Sequence, residues 1–198
     1  MSIGDAEIKT QERVIRFFKD PEILGYQYIG NLSDNQNKNI KEDRLRQYLR
    51  LKGYADKLID AAVMQFQQEA GNLSRGGYDA NKTVYSRLKY GIPVSESPEK
   101  PPVTVELIDE ANPLNNDFAI AEEVTVVEQQ EKRPDLVVYL NGIAVAVIEL
   151  KRSSISVSEG IRQNLTNQKD SFIRGFFTTM QFCMAGNESE GLRYGTHL

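Results

Sequence analysis

Three residues carry most of the chemistry this 198-residue chain can offer: Asp135, Glu149 and Lys151. They punctuate RPDLVVYLNGIAVAVIELKRS, residues 133–153, which is otherwise largely apolar. Asp135 follows Pro134 at the start of one apolar run. Glu149 and Lys151 close the next, with Leu150 between them. Side chains alternate along a strand, so Glu149 and Lys151 point to the same side. A carboxylate and an ammonium leaving a buried strand together are costly unless they pair or bind something. Two readings fit. Asp135, Glu149 and the Leu150 carbonyl are hard oxygen donors of the kind Mg²⁺ takes beside water and phosphate oxygens. With Lys151 they suit metal-assisted hydrolysis of an anionic ester. From spacing alone, a surface ion pair, Glu149–Lys151 or Asp135–Lys151, accounts for them equally well.

Composition removes most other chemistries. A single cysteine, Cys183, excludes an internal disulfide framework and a Cys-cluster zinc site. A single histidine, His197, leaves little room for a Ser-His-Asp or Cys-His site or a His-ligated zinc. Lys plus Arg is 24 and Asp plus Glu is 28, a net charge of −4. That argues against broad non-specific nucleic-acid binding but leaves a local basic groove open. No apolar run approaches the ~20 residues of a membrane span. The charged start MSIGDAEIKTQER lacks the apolar core of a signal peptide. No membrane association and a cytoplasmic setting are expected.

The elements that must position these residues follow from hydrophobic spacing. Helices are expected over 5–19, 41–52, 55–70 and 79–90, so the first ninety residues read as helical. SESPEKPP, residues 95–102, is the best internal boundary. It divides a helical N-terminal part, 1–94, from a core, 95–198. Strands are expected over 103–109, 118–127, 135–140 and 143–150, then a helix over 156–173 and a strand over 175–185. Asn141-Gly142 is a strong hairpin signal. The fold class is α/β, with α+β as a variant: a central mixed sheet flanked by helices. One difficulty is visible in advance. A two-residue turn pairs Leu140 with Ile143 and sets Asp135 opposite Ile148, on the wrong face from Glu149. A shared site requires a one-residue shift. A three-residue loop with a bulge would supply it, as would Asp135 lying beyond the last ladder pair.

Asp, a hairpin of this length and Glu-x-Lys resemble the PD-(D/E)xK nuclease pattern. The wider string, Arg133-Pro134-Asp135, Asn141-Gly142 and Glu149-Leu150-Lys151, resembles the N-terminal nuclease domain of the R (HsdR) subunit of type I restriction-modification enzymes. NPLNNDFAIAEEVTV (112–126) and GNESEGLRYGT (186–196) fit the same family. Its Gln-x-x-x-Tyr motif falls on Gln163, where this chain departs by carrying Asn167 at the Tyr position; Gln168 and Phe172 give a weaker match. The resemblance implies a restriction-endonuclease-like core and a Mg²⁺-dependent endonuclease, with Mn²⁺ as substitute, cutting double-stranded DNA with little base preference. Asp135, Glu149, Lys151 and Gln163 would be catalytic, with the metal on Asp135, Glu149 and the Leu150 carbonyl. Glu12 on the first helix and Arg152 are further candidates. The resemblance also implies methyltransferase and specificity subunits as partners, and an ATP-driven translocase in the full subunit. No G-x-x-x-x-G-K-[ST] loop occurs here, so the chain reads as a fragment of a longer subunit and ATP belongs elsewhere.

Two rival functions are a catalytically inactive assembly or DNA-binding domain and a stand-alone repair nuclease. Lys82, Arg87, Lys89 and Tyr90 read as a solvated helix face rather than a DNA contact. Cys183, Met184, Phe172, Phe176 and Phe177 read as core.

Overall fold

The computed structural model describes residues 3–95, 97 and 99–196, with side chains from residue 8 onward. His197, and Glu96 and Pro98 of the proline-rich stretch, lie outside the described residues. In chain order the elements are α1 (Ile3–Lys19), β1 (Gln27–Asn31), α2 (Glu42–Leu51), α3 (Asp56–Ala70), α4 (Gly77–Tyr90), β2 (Ile92–Val94) and β3 (Val103–Val105). Then come β4 (Phe118–Glu122), β5 (Val126–Val127), β6 (Glu131–Lys132), β7 (Leu136–Leu140), β8 (Ile143–Leu150), α5 (Val157–Asn167), α6 (Arg174–Phe177), β9 (Phe182–Asn187) and β10 (Gly191–Gly195). The architecture is mixed α/β, as the spacing of apolar residues predicts.

A six-stranded mixed sheet in the order β1-β4-β7-β8-β9-β10 carries the fold. β4, β7 and β8 are antiparallel neighbours, while β1–β4 and β8–β9 run parallel. Successive side chains of β7 and β8 go to different cores. Val137, Tyr139 and Val147 pack with Phe176, Phe177 and Met180 on one face. Leu136, Val138, Ile148 and Leu150 pack with Ile15 of α1 on the other. Covering both faces explains why 143–150 is nearly all apolar. A third cluster joins Leu45 and Leu49 of α2, Ile59 and Phe66 of α3 and Val84 of α4 to Ile143 at the start of β8. The helical part is therefore packed onto the hairpin that carries the candidate site.

Several boundaries differ from the sequence expectation, each for a physical reason. β1 lies inside the half expected to be wholly helical. QYIGN is an edge strand with no clean burial alternation, so its period is invisible. The run expected to be one strand over 118–127 breaks at Glu123, whose φ is +50°. The strand expected over 103–109 shrinks to Val103–Val105, paired with β2. The helix expected over 156–173 stops at Asn167. Residues 175–177, expected to open a strand, fall in the short α6 instead, with Phe176 and Phe177 plugged into the core. β10 was unanticipated; as an exposed edge strand it carries no inward apolar face. Arg87, on α4, is paired with Glu69 and not free for DNA.

Candidate active site

The hairpin turn keeps two residues. Asn141 and Gly142 both have positive φ, as a type I′ turn requires. Leu140 pairs with Ile143 and Tyr139 with Ala144, but Val138 pairs with Ala146. Val145 is therefore one extra residue in β8, a bulge in mid-ladder. Its position has a cause. Before Val145, β8 is flanked by the segment at residues 39–41, through Lys41 N to Gly142 O and Ala144 N to Asn39 O. After it, β8 pairs with β9 from Ala146 onward, and Gln181 N donates to the Val145 carbonyl. The bulge sits where the strand exchanges one neighbour for the other. Beyond it the register advances by one, so Leu136 faces Ile148 and the next position back sets Asp135 opposite Glu149. The expected three-residue loop is absent, and the shift comes instead from Val145. Asp135 also lies just outside the first ladder pair, as the other expectation had it.

Asp135 and Glu149 thus come together on the sheet face that α5 covers. Asp135 Oδ2 accepts a hydrogen bond from the Leu150 backbone N–H at 2.6 Å. Glu149 is 0 % exposed. Its Oε2 accepts from Gln163 Nε2 at 2.7 Å and lies 3.9 Å from Lys151 Nζ. Its Oε1 is buried with no hydrogen-bond partner. Burial first, then the Asp135 carboxylate, pushes the Glu149 carboxyl well above its ordinary range; Lys151 opposes them.

Gln163 is in reach because of a close helix–sheet approach. A Cβ at Gly160 would stand 2.9 Å from Ala185 Cβ and 3.5 Å from Glu149 Cβ. Only a residue without one lets α5 lie this near to β8 and β9. Ser156 and Glu190 hold the start of α5 by accepting from Ser158 N and Val157 N. Asn167, at the position where the resembled motif has Tyr, is buried with its Nδ2 unpartnered. Gln168 is buried and donates to Asn164 O. Arg152 is half-buried after β8 and makes no ion pair among the described residues. Glu12 is exposed on α1, whereas its neighbour Gln11 is buried and donates to Glu122 and Glu123 beside the site. Gln11, Glu123 and Gly160 escaped the sequence reading; only their proximity in the fold singles them out.

No group of three His, Cys, Asp or Glu among the described residues is arranged to hold a metal. The pair Asp135 and Glu149 still fits a hard divalent cation. A buried oxygen lacks a partner, a second carboxylate stands beside it, and every donor is oxygen. Mg²⁺ commonly takes one or two carboxylates and completes its shell with water and phosphate.

A family model for the type I restriction enzyme R protein N terminus matches residues 7–197. The chain belongs to this family. A putative type I restriction enzyme MjaIXP endonuclease subunit from Methanocaldococcus jannaschii is 34% identical over 97 residues, covering 45% of this chain. The match spans 9% of that relative's length. The family therefore accounts for nearly all of the chain, as the 133–151 string implies.

Proposed function

We propose that this chain is a Mg²⁺-dependent endonuclease domain of a type I restriction enzyme R subunit, hydrolysing phosphodiester bonds of double-stranded DNA in the cytoplasm with little base preference. The observation that carries the reading is the buried Glu149 carboxyl, one oxygen unpartnered, next to Asp135 and within reach of Lys151 and Gln163. As a purely structural device this set is a poor one, because burying the Glu149 carboxyl against a second, half-buried carboxylate costs stability. A polyanionic ester with a divalent cation gives both a purpose.

Asp135, Glu149 and the Leu150 carbonyl would hold the Mg²⁺. Its chemistry there would be to offset the charge of the scissile phosphate and to lower the pKa of an attacking water. The other steps belong to the chain. Leu150 N–H fixes one Asp135 oxygen, so the carboxylate is oriented before substrate arrives. Gln163 fixes one Glu149 oxygen and leaves the other free. Lys151, a compact cation beside Glu149, orients the water and balances the negative charge that builds on the phosphorus oxygens. Sequence recognition, methylation and ATP-driven translocation are assigned to the other subunits and to segments of the R subunit beyond this one.

The test is cleavage of duplex DNA by the assembled enzyme in Mg²⁺. Asp135→Asn keeps an acceptor for Leu150 N–H, and Glu149→Gln keeps the shape. With Lys151→Ala, each is expected to reduce cleavage by about 10³-fold without unfolding the chain. Cleavage retained by either carboxylate variant would contradict the assignment.

A further inference from the structure

The acid-rich corner next to Asp135 contains one cation that the proposed chemistry leaves without a task. Glu123 follows β4 with its backbone in the left-handed region. Its N–H donates to the Asp135 carbonyl at 2.8 Å. One carboxylate oxygen accepts from Gln11 Nε2 at 3.3 Å, and the other lies 2.8 Å from Arg133 Nε. Gln11 is itself braced, donating to Glu122 at 2.9 Å, while Tyr28 OH donates to the other Glu122 oxygen at 2.6 Å. The Arg133 side chain is 56% exposed. Its two terminal nitrogens make no hydrogen bond among the described residues.

Glu123 and Val124 extend the pairing of β4 with β7 through Asp135 O and Pro134 O, but the Glu123–Arg133 pair is not needed for that. A left-handed backbone at a glutamate is strained. An exposed ion pair returns little stability. Strain beside a reactive site more often serves positioning. Glu123 stands nearest the Nε edge of the guanidinium, and no hydrogen bond among the described residues occupies the terminal edge. That edge is a flat fork of donors matching the two non-bridging oxygens of a phosphodiester. Lys151 already has a task in the proposed chemistry, beside Glu149 and the reacting phosphate, and Arg152 has no comparable brace. Glu123 N–H is bonded to the Asp135 carbonyl, and Arg133 lies two residues before Asp135 and pairs with Glu123, so the guanidinium stands beside the carboxyl pair.

We propose that Arg133 clamps a backbone phosphate of the DNA at the rim of this site, with Glu123 as the positioning residue that aims it. The inference rests on the nuclease reading and deepens it. The clamp carries affinity and register, and no base preference, because phosphate contacts hold no sequence information.

The experiment is anisotropy of a labelled 30-base-pair duplex titrated with the chain, with Ca²⁺ in place of Mg²⁺ to hold cleavage down, at several salt concentrations. Mn²⁺ calorimetry on the same proteins runs beside it. Arg133→Ala is expected to weaken duplex binding about 10-fold and to reduce the slope of log affinity against log salt by about one. Arg133→Lys restores the slope but recovers less than half of the lost affinity, because an ammonium has no fork. Glu123→Gln leaves the slope unchanged and weakens binding roughly 3-fold, since the cation remains but is no longer aimed. Mn²⁺ affinity stays at the wild-type value in Arg133→Ala. Wild-type affinity and slope in Arg133→Ala would overturn the clamp while leaving the nuclease reading intact. Wild-type affinity in Glu123→Gln would overturn the positioning role. A wild-type chain that bound neither Mn²⁺ nor duplex would bring down the nuclease reading and the clamp with it.

Discussion

Glu149 is where function and stability conflict. In the absence of a cation its carboxyl is buried against Asp135, and its pKa is raised by desolvation first and by Asp135 second. The sign follows from linkage. A carboxyl whose folded pKa exceeds its unfolded value contributes stability that is complete below about pH 4.3, and that contribution is lost as pH rises through the raised folded value. Asp109 acts in the opposite sense. Hydrogen bonds from Asn115 and Lys52 hold its pKa below the usual carboxylate range, so its contribution is lost in acid, below about pH 3.9. In chelator, the wild-type chain should therefore lose stability between about pH 4.5 and neutrality relative to Glu149→Gln. The variant should melt about 2–4 °C higher at pH 7.5, a gain of ~1 kcal/mol, and should lose any stabilisation by Mn²⁺. Thermal melts across pH, with and without Mn²⁺, check both. Equal pH profiles for the two proteins would show that Glu149 is not held as described. Residue type and spacing singled out Asp135, Glu149 and Lys151 as candidates, with a surface ion pair as an equal alternative, and the fold brings Asp135 and Glu149 together. The orphaned Glu149 oxygen was not legible in the sequence, because burial of a single atom depends on elements distant in sequence.

The hairpin and α5 decide whether those residues meet. The wrong-face problem was visible in the sequence as odd-even counting, and so was the need for a one-residue shift. Its location at Val145 was hidden, because the cause is the exchange of flanking partners between residues 39–41 and β9. The helix over 157–167 was legible in outline, yet nothing local marks Gly160 as a contact point. Gly160→Ala places a methyl 2.9 Å from Ala185 Cβ. It is expected to push α5 off the sheet, cost about 1–3 kcal/mol, and lower cleavage at least ~10-fold as Gln163 leaves Glu149. Ala185→Gly opens the space again, so the double variant should recover both stability and cleavage. Additive losses in that cycle would show that the two residues do not press on each other.

At the scale of the whole molecule, the helical part is the buttress of the hairpin. Gly142 is jammed beneath the start of α2: a Cβ there would lie 2.6 Å from Lys41 O and 2.8 Å from Leu45 N, at a φ of +81°. Gly142→Ala combines that overlap with left-handed strain and should cost about 2–4 kcal/mol, lowering the melting temperature by roughly 5–15 °C. A melting temperature within a degree of wild type would contradict the buttress. Asn141 anchors the other side of the turn, with its side chain bonded to Leu107 O, Asn116 and Asp117 N, while the Gly142 carbonyl accepts from Lys41 N of the helical part. The Asn-Gly signal announced a turn; that it also fastens two halves of the chain required the fold. β1 and β10 were illegible for the same reason, since edge strands take their role from neighbours rather than from their own period. The most direct measurement is a crystal of the chain soaked in millimolar Mn²⁺, with the ion located by anomalous scattering. The expected result is one peak between Asp135 and Glu149, with carboxylate oxygens of both at about 2.0–2.3 Å. No peak there at full occupancy elsewhere, or an ion held by other side chains, would contradict it.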